Sequence, residues 1–318
     1  MTEDVKDLFD EGVNNKPNTQ PQPKVVFDEK NYLNTRLADN EQKRTINIRV
    51  VLTEDIDGKK KFAIPVSVHS LKLSVNQNRQ AKVAKGGYKS FICLNDTHVN
   101  SDEKGCPLCN KKNEIFAQAN AVDDANEKKA ICRQAYSYDT KTSYIVRCIE
   151  RGHEDEGVKF WRFNKHDDGS GPFDTIKELW ENYHNSNINI FDYKNGYDLI
   201  ITLTKSPNKK NPNAPDKTAV KIMTDVNPKP LGTDEQIDAW VNDQTDWKDM
   251  YRAKSYDYLE IIAEDKTPVF NVQKGKWVPW TEENENEKAE QRAAEELRET
   301  AKPQPTFQPT DDEEELPF

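Results

Sequence analysis

Three cysteines carry the clearest chemical pattern in this chain. Cys93, Cys106 and Cys109 form Cys-x12-Cys-Pro-Leu-Cys, and the last pair has the two-residue gap of a zinc knuckle. Two thiolates three residues apart can grip one tetrahedral ion while backbone amides stabilise their charge. Gly105 and Pro107 favour the tight turn such a grip needs. A redox Cys-x-x-Cys would want a thioredoxin-like context, which this segment lacks. A fourth ligand is required, and His69 and His98 are the candidates; spacing does not choose between them. Cys132 and Cys148 sit in apolar surroundings and read as small core residues. Three thiolates and one imidazole close a coordination sphere, so the expected metal is structural, one Zn2+, and no catalytic residue is expected. A zinc deaminase would want His-x-Glu and Pro-Cys-x-x-Cys. Here His69 is followed by Ser70 and Leu71, and the proline lies between the cysteines.

The elements that must position these ligands are mostly strands. Alternating, β-branched runs predict strands over 45–52, 62–69, 88–93, 143–149, 158–163, 197–204 and 218–223. Pro65 inside the second run suits an edge or a bulge. Asp57-Gly58 is a turn signal between the first two. Helical patterns are fewer, at about 110–130, 173–185 and 233–253. Strands with helices between them predict a mainly β protein with helical insertions, a barrel or sandwich rather than a βαβ array. The organisation expected is an arm over 1–23, a core over 24–280 with a metal-binding subdomain at about 62–115, and a tail over 281–318.

Charge is segregated along the chain. The net charge is −10, yet residues 281–318 hold 13 acids and 4 bases and residues 1–20 hold five and two, which leaves about +2 for residues 21–280. An acidic total therefore does not exclude a nucleic-acid partner for the body. The arm ends in Lys16-Pro17-Asn18-Thr19-Gln20-Pro21-Gln22-Pro23, whose prolines and amides predict disorder. The tail ends in Asp311-Asp312-Glu313-Glu314-Glu315-Leu316-Pro317-Phe318. Five consecutive carboxylates repel one another and bury nothing, so this end reads as a hook offered to a partner, or else as a solubilising tail. It resembles the C-terminal tip of bacterial single-stranded DNA-binding proteins. Mean hydropathy is −0.98. No apolar run approaches the roughly 20 residues that cross a bilayer. No signal peptide is expected at Met1-Thr2-Glu3-Asp4, so a cytoplasmic location is predicted.

Aromatic and basic residues interleave in two places. Tyr136, Tyr138 and Tyr144 share parity, so an unbroken strand would line them on one face, with Lys141 and Arg147 close by. Trp161, Arg162 and Lys165 repeat the pattern in Lys159-Phe160-Trp161-Arg162-Phe163-Asn164-Lys165. Single strands are held by stacking bases on such rings and tracking phosphates with such cations. The competing reading is a strand core, which would claim about half of the rings, Phe160 among them, together with Ile145. Lys205, Lys209 and Lys210 form a further basic loop among prolines and asparagines.

Taken in order, these residues resemble the T-even-type phage single-stranded DNA-binding proteins, the helix-destabilising proteins. The resemblance rests on Val68-His69, Cys93, Thr97-His98, Cys106-Pro107-Leu108-Cys109, Lys141-Thr142-Ser143-Tyr144, Glu156-Gly157, Lys159-Phe160 and Arg162-Phe163, over about residues 44–225. It implies an OB-fold barrel core with His69, Cys93, Cys106 and Cys109 as zinc ligands and His98 as a loop residue. It also implies a non-enzymatic protein that coats and protects single strands in phage replication, recombination and repair. Partners would be polymerase, helicase or primase, and a recombinase loader, recruited through the tail. Self-association on DNA would follow too, although the family's basic N-terminal arm has no counterpart in residues 1–20. The alternatives are a zinc-dependent nuclease or primase-like enzyme, and a zinc-ribbon transcription factor or adaptor.

Overall fold

The computed structural model describes residues 29–54, 58–73, 88–99, 105–207, 217–271 and 273–281. The predicted arm, most of the predicted turn at Asp57-Gly58 and the tail beyond Thr281 lie outside the described residues. Along the chain the strands are β1 (Lys43–Val50), β2 (Thr53–Glu54), β3 (Lys60–Lys61), β4 (Ile64–Lys72), β5 (Tyr88–Ile92), β6 (Thr140–Glu150), β7 (Lys159–Asn164), β8 (Leu199–Ser206), β9 (Lys217–Thr224), β10 (Pro268–Asn271) and β11 (Lys276–Pro279). The helices are α1 (Pro107–Asn120), α2 (Ala125–Tyr136), α3 (Pro172–His184), α4 (Asp234–Val241), α5 (Trp247–Met250) and α6 (Tyr256–Ala263). All seven predicted strands are present and form one antiparallel sheet, while β2–β3 and β10–β11 are separate small hairpins.

Strand β6 organises the sheet. Its residues Ser143 to Ile149 are buried without interruption. Successive side chains point to opposite faces, so an unbroken buried run means that both faces are covered. Tyr144, Val146 and Cys148 enter one core with Ile48, Phe62, Trp161 and, from α3, Ile176 and Trp180. Ile145 and Ile149 enter the opposite core with Val66, Val68, Phe160 and, from α4 and α5, Trp240 and Trp247. Ser143 to Ile145 pair with both β4 and β7, and Cys148 pairs with both β1 and β7. Hence β7 takes one edge of β6, and β1 and β4 share the other, end to end. Residues between them leave the sheet in the β2–β3 excursion. Pro65 falls in the part of β4 that β5 does not cover, the edge position that a residue without an N–H tolerates.

The architecture is thus mainly β with helices packed on both faces, as composition and periodicity predict. Among the described residues no strand pairing closes the sheet: the order β5-β4-β6-β1-β8-β9, with β7 on β6, leaves open ends. A third core lies off the end of the sheet, where Leu71, Phe91, Leu108, Leu259 and Ile262 bring β4, β5, α1 and α6 together. No helix among the described residues is long and apolar enough to cross a membrane.

Candidate metal centre

His69 reaches the third core through strand parity. Ile64, Val66 and Val68 of β4 face the α4–α5 side, so His69 and Leu71 face the other way. Its neighbours across the sheet are Phe91 on β5 and Thr140 on β6, and its side chain is fully buried. Cys93 follows β5 directly, and its N–H donates to the Ser67 carbonyl at 2.8 Å. Cys106 caps α1 and Cys109 lies in the first turn of that helix, with Pro107 at its start. Gly105 enters the helix at φ +71°, and a Cβ there would stand 3.1 Å from the Asn95 side-chain oxygen. The left-handed backbone is where glycine avoids the steric cost that other residues meet. Helix-end N–H groups and the helix dipole favour negative charge at this position, which suits thiolates.

These four residues converge. Their ligand atoms all lie within 4.8 Å of one another. His69 Nε2 is 3.5 Å from Cys106 Sγ and 3.6 Å from Cys109 Sγ, and Cys93 Sγ is 3.5 Å from Cys109 Sγ. A tetrahedral ion with metal–sulfur bonds of about 2.3 Å and a metal–nitrogen bond of about 2.0 Å spaces its ligands at about 3.5–3.8 Å. The donor set and its spacing therefore fit a metal ion. On the far side of the imidazole, Nδ1 lies 2.7 Å from the Tyr138 carbonyl. As a donor to that oxygen, Nδ1 keeps the proton and leaves the Nε2 lone pair facing the sulfurs, the usual way an outer contact orients a metal-binding histidine.

The imidazole and the buried thiols shift one another's protonation. Burial disfavours a charged imidazole, but hydrogen bonds with Cys106 and Cys109 outweigh it and raise His69 to about 9. Cys106 is driven towards the thiolate by hydrogen bonds from Cys109 and Cys93, while Cys93 is driven to hold its proton by its bonds to Cys106 and Cys109 and by burial. A divalent ion bound there would displace these protons.

His98, the alternative ligand, is not in the cluster. Its Nδ1 is 3.0 Å from Asp96 Oδ1, and its ring meets Trp247 edge-on at 6.2 Å. Asp96, which the sequence reading missed, braces the turn after Cys93. It accepts from the N–H of Ser67 at 2.5 Å and of His98 at 2.9 Å. Burial would raise this carboxyl, but bonds from His98 and Ser67 hold it below the ordinary aspartate value. An Asp three residues after a Cys in a turn is the signal that was available.

The residues expected to touch nucleic acid scatter. Tyr136 ends α2 rather than starting a strand, so the shared parity of Tyr136, Tyr138 and Tyr144 is broken. Tyr136 is 57% exposed, with Phe116 edge-on at 5.4 Å. Tyr138 is half-buried and supplies its carbonyl to His69. Tyr144 and Trp161 are core residues; Tyr144 stacks on Phe173 at 3.9 Å and Trp161 packs at 4.5 Å on Phe163. Their rings correct the expectation of base stacking, because neighbouring side chains already cover their faces. Arg147 is also corrected. Its guanidinium donates to the carbonyls of Trp240 at 2.8 Å, Val241 at 3.4 Å and Asp243 at 2.7 Å, where it closes the C-terminal end of α4. Lys141 and Lys165 are exposed at the open end of the β6–β7 hairpin, where Lys165 N donates to Thr142 O at 2.8 Å. Arg162 lies over the Tyr251 ring at 5.5 Å. Lys205 donates to the Asp39 carbonyl at 2.7 Å. Lys209, Lys210 and residues 311–318 lie outside the described residues. A cavity of about 340 Å3 mixes Arg147 and Lys248 with Glu54, Asp243 and Asp246. Its mixed signs do not suit a phosphate chain.

No protein-family model matches this chain, and no curated protein matches it.

Proposed function

We propose that this chain is a non-enzymatic single-stranded DNA-binding protein, with an OB-type sheet braced by one structural zinc ion. The observation that carries the reading is the meeting of His69, Cys93, Cys106 and Cys109, 41 positions from first to last, with His98 turned away. That is the ligand set the resemblance implies, and the choice between the two histidines rests on strand parity rather than on family likeness. Four protein donors fill a tetrahedral sphere, so zinc here builds structure and offers no position for a reactive water. Lys141, Arg162 and Lys165 supply cations on the β6–β7 hairpin.

The acidic end extends the reading. Its carboxylates resemble a run of phosphates and would occupy the cationic surface when DNA is absent. DNA would displace them and free Leu316-Pro317-Phe318 for replication, recombination and repair proteins. Deletion of residues 311–318 is then expected to raise single-strand affinity at low salt; unchanged affinity would remove this part of the proposal. The function itself is tested by titrating oligothymidine and a duplex of equal length against salt, with strand integrity followed in divalent metal. Single-strand preference, intact strands and a steep salt slope are expected. Equal grip on duplex, or cleavage, would sink the proposal.

A further inference from the structure

Several described lysines have an acid within ion-pair distance. Lys112 lies 2.5 Å from Asp139, Lys229 lies 2.5 Å from Asp225 and Lys266 lies 2.7 Å from Glu264. Lys89 and Lys254 do not follow this pattern. Lys89, on edge strand β5, places Nζ 3.5 Å from the Tyr258 hydroxyl and 5.8 Å from the centre of the Phe91 ring. Lys254, two residues before α6, places Nζ 5.3 Å from the centre of the Tyr258 ring. Two ammonium groups thus converge on one tyrosine, and neither forms an ion pair among the described residues. Burial lowers both lysines from their ordinary value, and the charge of Lys89 lowers Lys254 further. Like charges gathered without an acid are a standing invitation to an anion.

An apolar neighbour distinguishes this place from an ordinary basic patch. Trp277 of β11 meets Tyr258 edge-on at 4.8 Å and Phe270 at 5.4 Å, and it remains partly exposed. Cations beside a part-exposed ring are the two elements with which proteins hold unpaired strands. The site stands on the same core as the metal cluster, since Tyr258 and Phe91 pack there with Cys93 and Cys106.

We propose that Lys89 and Lys254, set about the Tyr258 ring, hold one backbone phosphate of single-stranded nucleic acid, and that Trp277 offers a face to the adjoining base. This rests on the function proposed above and moves part of the contact surface from the β6–β7 hairpin to the metal-braced end of the molecule. The bound strand would therefore depend on the metal for the shape of one of its contacts.

The test uses the full chain, with metal, and oligothymidine. Anisotropy titrations across salt compare the unaltered protein with K89Q/K254Q, with K89R/K254R and with K194Q/K229Q, which removes the same charge from two acid-paired lysines. Loss of one phosphate contact lowers the slope of log affinity on log salt by about 0.7. K89Q/K254Q is expected to show that drop, K89R/K254R to restore the slope, and K194Q/K229Q to leave it alone. Trp277→Phe keeps an aromatic ring for the fold and removes the reporter; quenching of tryptophan emission by oligothymidine is expected to shrink. If the unaltered chain binds and K89Q/K254Q keeps its slope, or if both charge-removing pairs lower it equally, this inference is overturned and the function stands. If the unaltered chain ignores single strands, the function fails and takes the inference with it.

Discussion

Two buried polar centres in this molecule solve the same problem in opposite ways. One is Asp198 with Arg49 and Arg151. Arg151 grips the carboxylate through Nε at 3.0 Å and Nη2 at 2.8 Å and spends its other N–H groups on the carbonyls of Leu231 and Pro230. Arg49 approaches Asp198 at 3.5 Å, is fully buried, and donates to the Asp192 carbonyl. Burial, reinforced by the charge of Arg151, pushes Arg49 down to about 10 against the pull of Asp198. This centre carries its own counter-charges. The other is the His69 cluster, four donors whose ligand atoms lie within 4.8 Å of one another and which a cation would fit. The difference bears on where stability is conditional: the Arg49–Asp198–Arg151 centre is built from charges of the chain alone, whereas the His69 cluster offers a donor set that a metal ion would fill.

Metal removal separates them most sharply. Structural zinc contributes roughly 10–16 kcal/mol of binding free energy in finger-type sites, much of it spent on folding. Chelation, or Cys106→Ser, is expected to remove one bound ion per chain and to lower the melting temperature by well over ten degrees. His98→Ala is expected to leave metal content at one. Metal analysis with thermal unfolding decides this; a chain that holds no ion, or that melts alike with and without it, breaks the comparison.

The Asp198 centre should fail differently. Asp198→Ala leaves the buried Arg49 and the half-buried Arg151 guanidinium groups without their shared carboxylate, and breaking a buried pair costs about 3–5 kcal/mol. Chemical denaturation should register that loss with metal content unchanged. Added zinc should not repair it. If metal stoichiometry falls as well, the two centres are coupled and the contrast is wrong.

Gly196 sharpens the same point with less force. A Cβ there would stand 2.4 Å from Arg49 Nη2, 2.4 Å from the Asp192 carbonyl and 2.5 Å from that of Ile190. Two of these three neighbours are backbone and cannot swing aside. Gly196→Ala is expected to cost about 2–3 kcal/mol in the same denaturation assay, within the range of overpacking strain. An alanine variant of unaltered stability would mean that this loop yields freely and that Arg49 is less tightly enclosed than the contacts imply.

How much of this was legible beforehand follows from range. The seven sheet strands could be read because β-branched alternation is local. The metal cysteines could be read because knuckle spacing is local too. His69 against His98 could not be decided by spacing, since the answer lies in which face of β4 His69 takes, set by pairing with β5 and β6, and in the turn that ties His98 to Asp96. Arg147 read as a phosphate contact because its true partners, the last carbonyls of α4, lie about 93 residues away. The predicted helix over 110–130 is two helices, α1 and α2, broken at the turn where Asp124 caps the second. That cap, accepting from Asn126 and Glu127 N–H groups, was readable as Asp before a helix-forming run. The tyrosine stripe failed because α2 runs on through Tyr136 and strand geometry begins only at Thr140.

The smallest expected effect concerns a third charged site, Lys159 with two glutamates. Lys159 lies 2.5 Å from Glu150 and 2.5 Å from Glu156. Burial would lower its pKa, but the bonds and charges of the two glutamates prevail and raise it above the ordinary 10.5. A folded value above the unfolded one means that this contribution is complete below pH 10.5 and fades as pH rises through the folded value. Glu156 is part-exposed, so the pairing is screened by solvent and its contribution is small. Stability measured from pH 9 to 12 should fall slightly more in the unaltered chain than in Lys159→Met, which has no ammonium to lose. Parallel curves would show that Lys159 is held by packing of its stem rather than by its charge, which would leave Asp198 with its two arginines as the centre where charge itself does the holding.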